Sequence, residues 1–363
     1  MLHATIVATP EGESLMRPTT SSVSRLAGVL LLGILLASTL ALPAAARPAA
    51  SYRIVDLGTL GGHYSQALGV NDRGQVVGTS SIADRDVSHA FLWTKGRMRD
   101  LGTLGGLFSA AHDVNNHGQV VGGADTASGP GHAFLWERGR IRDLGTLGGA
   151  FSVATAINDQ GVITGYGDTA SGETHAFLWR KGRMRDLGIA GGYTTANDID
   201  SRNHVVGAFH SGPDVFSHAY RWRRGTVTDL DTLGTYQSEA FAVNDHGHAA
   251  GWATFQGSDG PFHAALFARG RMTDLGTLGG AGVQSQALGI NNRGQVVGTS
   301  IAPVGQSQQF RGFVWRDGRM TNLGVAFAGG INGSQATDIN DNGLIVGTSD
   351  VAADATHAVL WRR

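Results

Sequence analysis

The residues that most invite a chemical interpretation are six histidines, each followed by Ala at a regular interval in HAFLW and its variants. They are His89, His132, His175, His218, His263 and His357. Imidazoles related by a rotation axis can share a metal ion or an anion. These histidines, however, alternate with Phe and Trp along a middle strand, too far from an axis to meet the distances of about 2.0–2.3 Å that zinc requires. We therefore predict structural, hydrogen-bonded histidines.

Calcium is a second chemical possibility, at turns with the sequence NDxG. Asp338, Asn340, Asn342 and Gly343 follow the D-x-[DN]-x-[DN]-G spacing of a calcium loop. The twelfth position, where such a loop needs Glu, is Ser349, and the other turns lack the full set. Asn and Asp in turns commonly bond the local backbone. We predict turns without a metal or cofactor, with calcium at Asp338, Asn340 and Asn342 as the alternative.

These residues recur because the sequence is a tandem repeat. The segment DLGTLGG and its degraded copies begin at Asp56, Asp100, Asp143, Asp186, Asp229, Asp274 and Asn322. Each copy contains four short apolar segments bounded by Gly, Asn or Asp, a pattern that indicates four antiparallel strands. Units of about 40–45 residues with four strands are typical of propeller blades. We predict an all-β fold over 51–363, a seven-bladed β-propeller of four-stranded blades.

The two ends of the repeat region predict how the ring closes. The seventh unit reaches Arg363 after its third strand, and the segment 51–57 resembles the fourth strand of the other units. We expect this N-terminal strand to pair into the last blade, which leaves no free edge. All seven units carry Ala four residues before the first residue of the NDxG turn, and Ser or Thr two residues earlier. Small residues suit strands that crowd an axis, so we predict this strand to be innermost.

The combination of HAFLW, DLGTLGG and NDxGxVVG resembles a known family, bacterial extracellular repeat proteins named for their His-Ala-Phe (HAF) motif. The resemblance covers the chain from Ser51 to Arg363. It implies an exported bacterial repeat protein, and the family brings no established activity or catalytic residues. The chain departs from the motif at Arg311, which replaces the His in the sixth unit, and at Phe267, which replaces the Trp in the fifth.

The N-terminal segment predicts export. An apolar run over 26–46 follows Arg17 and Arg25 and ends in three alanines, a pattern typical of a secretory signal. We predict a signal peptide over 1–46, with Met16 as a possible true start, and a mature protein in the periplasm or outside the cell. No membrane span is expected after cleavage, and a retained anchor is the alternative.

Composition and charge narrow the expected partners. The net charge is -1, charged residues make up 16% of the chain and cysteine is absent. The charge disfavours a nucleic-acid-binding protein, and the absence of cysteine disfavours a small disulfide-stabilised scaffold. We expect a monomer. Basic residues nevertheless concentrate after the Trp position, among them Lys95, Arg97, Arg99, Arg138, Arg140, Arg142, Lys181 and Arg183. The favoured interpretation is a solvated, protected edge, and the alternative is contact with anionic glycans or lipid headgroups.

Function is expected on the face that carries the variable loops. These loops precede each HAF motif and share a face with the LGTLGG connections, where propellers commonly bind ligands. Near the axis, or at the start of a loop in the case of Trp252, the candidate ligand-binding residues are His112, Asp113, Asn197, Asp198, Phe241, Trp252 and Asp338. No phosphate loop, nucleophile elbow or HExxH motif is present, and no catalytic residue is predicted.

We therefore predict a secreted, non-catalytic binding propeller that recognises an extracellular polymer or protein through this loop face. The alternative is an extracellular lyase or hydrolase of the propeller type, acting on glycans or small metabolites, because the same fold hosts both.

Overall fold

The computed structural model describes residues 52–83, 87–210, 216–230, 237–255, 260–280 and 282–363, and all regular elements among them are β-strands. The predicted signal peptide over 1–46 lies outside the described residues. Among the residues described, none forms a helix long and apolar enough to cross a membrane.

The strands follow one another in sets of four, which we call the first to fourth strands of a unit. The first strands are β2 (Gly61–Val70), β6 (Gly105–Val114), β10 (Gly148–Ile157), β14 (Thr194–Ile199), β18 (Ser238–Val243), β22 (Ser285–Ile290) and β26 (Ser334–Ile339). The second strands are β3 (Val76–Ile82), β7 (Val120–Thr126), β11 (Ile163–Thr169), β15 (Val205–His210), β19 (Ala249–Thr254), β23 (Val296–Val304) and β27 (Ile345–Asp350).

The third and fourth strands complete each unit. The third strands are β4 (Ser88–Thr94), β8 (Gly131–Glu137), β12 (Thr174–Arg180), β16 (Ser217–Arg223), β20 (Phe262–Ala268), β24 (Ser307–Arg316) and β28 (Thr356–Arg362). The fourth strands are β5 (Arg97–Asp100), β9 (Arg140–Asp143), β13 (Arg183–Asp186), β17 (Thr226–Asp229), β21 (Arg271–Asp274), β25 (Arg319–Asn322) and, at the start of the chain, β1 (Arg53–Asp56). Units are numbered 1 to 7 by the order of their first strands.

Consecutive strands within a unit pair antiparallel. Units 2 to 6 are separate four-stranded sheets, and the remaining eight strands form one larger, mixed sheet. In that sheet β1 pairs antiparallel with β28, from Arg53 opposite Arg362 to Asp56 opposite Val359. A single parallel residue pair, Tyr64 with Thr356, joins β28 to β2. The fold is therefore all-β and built from four-stranded antiparallel units, an arrangement consistent with a propeller.

Antiparallel pairing places successive connections at opposite ends of each unit. We call one end the loop face, which carries the second-to-third loops and the connections between units. The other end is the turn face, which carries the tight first-to-second and third-to-fourth turns. Glycine is required at those turns, as at Gly74 with a φ of 71° and Gly96 with a φ of 86°.

The core lies between neighbouring units. Phe134 and Trp136 of unit 2, for example, pack in one buried cluster with Val77 and Leu92 of unit 1. The second and third strands are therefore apolar on both faces, because a neighbouring unit covers each face. The alanines of the first strands are fully buried in all seven units, at Ala67, Ala111, Ala154, Ala196, Ala240, Ala287 and Ala336.

Hydroxyl groups two residues before the buried alanines of the first strands link each unit to the one before it. In every unit the Ser or Thr oxygen accepts a hydrogen bond from a third-strand backbone N–H of the preceding unit, over 2.8–3.0 Å. In unit 3, Ser152 Oγ accepts from Ala133 N and donates to Gly145 O in the connection between the units. One hydroxyl of unit 3 thus satisfies a buried N–H of unit 2 and a carbonyl oxygen of the connection between the two units.

Asparagines at the turn face make a second set of links. The side-chain amide of the first turn residue donates to the backbone oxygen at the same position of the next unit, over 2.8–3.1 Å at six junctions. The last of these bonds runs from Asn340 in unit 7 back to Asn71 in unit 1. Asp200 interrupts the series because a carboxylate has no N–H. The junction of units 4 and 5 keeps the bond from the second turn residue, Ser201 N to Asp245 Oδ1, which other junctions also have.

Removing one hydroxyl bridge is expected to destabilise the protein. Ser152→Ala leaves a buried N–H and a carbonyl oxygen unpaired, and we expect the free energy of unfolding in urea to fall by about 1–3 kcal/mol. Ser152→Thr is the matched control, because Thr194 makes the same bond in unit 4. Equal stability of the Ala and Thr variants would contradict the assignment.

Candidate functional site

Three of the predicted ligand-binding residues are aspartates at one position of different first strands. Asp113, Asp198 and Asp338 each precede the aliphatic residue that ends its strand. Each carboxylate accepts the N–H of that next residue and an N–H of the following unit: Asp113, for instance, binds Val114 N at 2.7 Å and Ile157 N at 2.8 Å. Asp198 and Asp338 repeat this geometry. These side chains therefore link units.

The same surroundings change their acidity. Burial raises the pKa of Asp113 to about 7, of Asp198 to about 8 and of Asp338 to about 6. The backbone N–H donors lower each pKa and so oppose the effect of burial. Repulsion between the carboxylates raises it further, from Asp338 on Asp113 and from Asp113 on Asp198. At neutral pH the three groups share fewer negative charges than three exposed aspartates would.

His112, Asn197 and Phe241 occupy the preceding position of the first strand, at the bulge. His112 Nδ1 lies 3.0 Å from the oxygen of Ala154, and Asn197 Nδ2 donates to the oxygen of Ala240 at 2.9 Å. Both bonds reach the next unit, and burial lowers the pKa of His112. Phe241 is half-buried at the same position. This layer joins neighbouring first strands to one another.

Trp252 differs from its predicted location. It lies inside β19, paired with Glu239, and not at the start of a loop. Its ring packs against Phe262 with centroids 5.3 Å apart. Its side chain also hydrogen-bonds Glu239, whose carboxyl accepts from Asn197 Nδ2 at 2.9 Å. Burial raises the pKa of Glu239 and these two hydrogen bonds lower it in part. Glu239 was not among the predicted ligand-binding residues.

The histidines of the HAF motif are hydrogen-bonded, as predicted. In six units the Nδ1 atom lies 2.6–3.4 Å from the leading Asp of DLG in the fourth strand. The same Asp accepts a backbone N–H two residues later, as Asp56 does from Gly58 at 2.8 Å. The repeated His and Asp are thus partners within one blade-like unit.

The turn residues proposed for calcium are engaged with the backbone. Asn340 Oδ1 accepts from Asn342 N and Leu344 N, and Asn342 Nδ2 donates to Asp72 O. Within the described part of the chain, no group of three or more His, Asp or Glu side chains is arranged to hold a metal ion. The calcium alternative at Asp338, Asn340 and Asn342 stays a prediction.

Exposed apolar side chains concentrate on the loop face. Eight large hydrophobic residues are exposed among those described, and one of them, Val227, lies in a fourth strand. The other seven lie in, or next to, the connections of the loop face: Tyr64, Leu107, Phe108, Tyr193, Phe310, Phe327 and Ile331. An accumulation of this kind on one face is typical of an interaction surface.

A cavity of about 530 Å³ opens on this face where units 6, 7 and 1 meet. Gln66, Gln286 and Gln335 line it from equivalent positions of the three first strands, and Tyr64 and Phe310 stand at its rim. None of the lining residues is charged. We call it the glutamine cavity.

Two hydroxyls in the wall of the glutamine cavity have no hydrogen-bond partner among the described residues. Thr299 Oγ1 and Thr348 Oγ1 are buried and unpaired. Buried polar groups normally have partners, but these two atoms have almost no accessible surface, so a ligand could bond to them only if the wall rearranged. The sequence contained a signal that was not used, because SQA occurs only in the first strands of these three units, at Ser65, Ser285 and Ser334.

Comparison with known proteins supports the fold but gives no information about an activity. No family model matches the chain, and no curated protein matches it significantly. Among solved structures, an oligogalacturonate lyase from Vibrio parahaemolyticus matches with a TM-score of 0.55 and 10% identity, over 86% of this chain and 97% of that one. TolB from Acinetobacter baumannii matches with a TM-score of 0.43 and 10% identity, over 76% of this chain and 59% of that one.

A puromycin-hydrolysing peptidase from Mycobacterium tuberculosis matches with a TM-score of 0.48 and 13% identity, over 80% of this chain and 49% of that one. This chain therefore spans about half to three fifths of the length of the peptidase and of TolB. The similarity to the lyase supports the β-propeller fold and, at this identity, nothing beyond it. The resemblance to HAF-repeat proteins stays a prediction.

The raised pKa values of the three aspartates predict how stability depends on pH. A carboxyl whose pKa is higher in the folded than in the unfolded chain binds protons preferentially in the folded state. Stability is therefore expected to decrease as the pH rises from about 4, the ordinary pKa of Asp, through the folded values of about 6 to 8.

The measurement is the urea midpoint between pH 5 and pH 9. We expect Asp198→Asn to lower the midpoint at low pH, because one backbone N–H loses its acceptor, and to flatten its decrease at high pH. Asp317→Asn, on an exposed turn, is the control and should keep the slope of the parent protein. A pH-independent midpoint of the parent protein would be inconsistent with this assignment.

Proposed function

We propose that this protein is an exported, seven-bladed β-propeller, closed by β1 on β28, that binds an extracellular polymer through its loop face without catalysis. Two observations support the closed ring. The asparagine links run from unit to unit and return from Asn340 to Asn71, and β1 supplies the fourth strand beside β28. Export rests on the sequence of residues 1–46 alone.

The observation that carries the binding proposal is the glutamine cavity, which opens on the loop face where units 6, 7 and 1 meet. Primary amides both donate and accept hydrogen bonds, so three glutamines suit a ligand rich in hydroxyl groups. Tyr64 and Phe310, which are 39% and 50% exposed, offer rings against which an apolar ligand face can pack.

These features favour an uncharged saccharide over other polymers. A sugar ring combines an apolar face with hydroxyls at its edge, which matches aromatic rims and amide walls. The wall has no charged side chain that would compensate an anionic or cationic ligand, and a buried unpaired charge is costly. The cavity volume of about 530 Å³ lies within the range of small-molecule sites and suits a short segment of a saccharide chain.

Binding of neutral oligosaccharides tests this proposal. We expect calorimetry against a panel of uncharged glycans to find a ligand whose affinity falls about tenfold or more in Phe310→Ala, because an aromatic platform is lost. Gln335→Ala should lower the affinity for the same ligand, because it removes a hydrogen-bonding amide. The matched control is Phe108→Ala, which removes an equally exposed ring from unit 2 of the same face.

The outcomes separate the explanations. A similar loss in all three variants would mean that the whole face binds and not the cavity. The proposal is wrong if no neutral glycan binds, or if the ligand found binds the parent protein and Phe310→Ala equally well.

A second candidate function, hydrolysis or lysis of glycans, is favoured by Glu239. Its carboxyl is half-buried between Asn197 and Trp252, and burial raises its pKa, as general acids require. The fold similarity to a lyase is compatible with this candidate but carries no information about residues.

Release of new reducing ends or unsaturated products from polysaccharides tests this second candidate. If Glu239 acts as general acid, Glu239→Gln should slow the release about a hundredfold or more. The control is Glu137→Gln, in a third strand of unit 2, which should keep the parent rate. Absence of products with the parent protein would leave the non-catalytic proposal standing.

A further inference from the structure

A groove of about 800 Å³ lies on the turn face between units 3 and 4, at the opposite end of the units from the glutamine cavity. It is strongly basic. Six cationic side chains line it: Arg180, Lys181, Arg183, Arg185, Arg202 and Arg224. We propose that this groove, which we call the arginine groove, binds a segment of a carboxylated polysaccharide.

Among the described residues the positive charge of the arginine groove is compensated only in part, by the electrostatic interaction of Arg202 with Asp245. All six cationic residues are exposed, and none forms an ion pair with a carboxylate of the residues described. The one acidic residue in the lining, Asp186, is already bonded to His175 and to the backbone N–H of Gly188. An anionic ligand would therefore meet free guanidinium groups.

At this junction the stack of an arginine on a tryptophan, which the two preceding junctions have, is missing. Between units 1 and 2, the guanidinium of Arg99 lies over the ring of Trp136 at 5.1 Å. Between units 2 and 3, Arg142 lies over Trp179 at 5.5 Å. In both contacts the guanidinium group is engaged with the ring, and the ring is covered by it.

The equivalent pair between units 3 and 4 is Arg185 and Trp222, and it does not stack. Trp222 Nε1 donates to the backbone oxygen of Leu187 at 3.2 Å, and among the described residues no guanidinium lies over its ring. Both side chains instead line the open groove. Unit 4 also adds Arg202 at a position where units 2 and 3 have His117 and Gln160.

The positive charge of the groove, together with its apolar floor, points to an acidic saccharide. Guanidinium groups bind carboxylates in a bidentate, planar arrangement. Val162, Leu178, Leu187 and Trp222 give the groove an apolar floor that suits the faces of sugar rings. The concave shape favours an inserted chain over a flat membrane surface, and the net charge of -1 disfavours nucleic acid. This inference is independent of the function proposed for the loop face.

Isothermal titration of the purified protein with alginate oligomers tests the inference, with the carboxyl-reduced, neutral oligomers as the reference ligand. We expect binding of the anionic oligomer that weakens with added salt, and no binding of the neutral one. Arg183→Ala with Arg224→Ala should weaken binding about tenfold or more, because two charge-assisted contacts are lost.

The chain supplies a matched control. Arg97 and Arg138 are the equivalents of Arg183 and Arg224 at the junction of units 1 and 2, so Arg97→Ala with Arg138→Ala removes the same charge from the regular edge. This variant should keep the parent affinity within about twofold if the groove, and not net charge, binds the ligand.

A third variant excludes a folding effect. Arg183→Lys with Arg224→Lys keeps both charges but loses the planar fork, and should give an intermediate affinity at an unchanged urea midpoint. The inference is overturned if the neutral oligomer binds equally, if the control and groove variants lose affinity alike, or if only anionic vesicles and not the oligomer bind.

Discussion

A hydroxyl group that serves two neighbouring units is the interaction on which the rest of the structure depends. The Ser or Thr two residues before the buried Ala of each first strand accepts the third-strand N–H of the unit before it, at all seven junctions. In five of them the same hydroxyl also donates to a glycine carbonyl oxygen, in DLG at four junctions and in NLG at Gly324. DLG begins with the Asp that binds the HAF histidine. The most repeated residues of the sequence therefore form one hydrogen-bonded junction.

The sequence was sufficient to predict the elements and their partners within a unit. Periodicity and turn residues predicted four strands per unit, and the invariant Ala predicted a crowded strand whose members are fully buried. The glycine of VVG has a reason that emerges only in three dimensions: a Cβ at Gly78 would collide with the carbonyl oxygen of Gln66. A sequence pattern shows which residues repeat. It does not show as readily which backbone group each repeated residue contacts.

The surroundings of the candidate residues were predicted less well, because they arise between units. The ligand-binding role of Asp113, Asp198 and Asp338 stays a prediction, but each of them binds a backbone N–H of the next unit, which no local pattern encodes. Trp252 was expected at a loop and lies in β19. The glutamine cavity needs three units that meet only after folding. The arginine groove depends on the orientation of one indole ring, that of Trp222, which its neighbours decide.

The junctions between units differ in how closely their side chains pack. Where the repeat is faithful, as between units 1, 2 and 3, arginines cover tryptophans and side chains satisfy their neighbours. Two other junctions are open: the glutamine cavity lies where units 6, 7 and 1 meet, and the arginine groove lies beside Trp222 between units 3 and 4. The central claim is that ligands bind at these open junctions. Hydrogen exchange in the presence of a neutral oligosaccharide tests it most directly. The account predicts slower exchange at the loop-face ends of β22, β24 and β26, with units 2 and 3 unchanged, whereas uniform protection or protection confined to units 2 and 3 would contradict it.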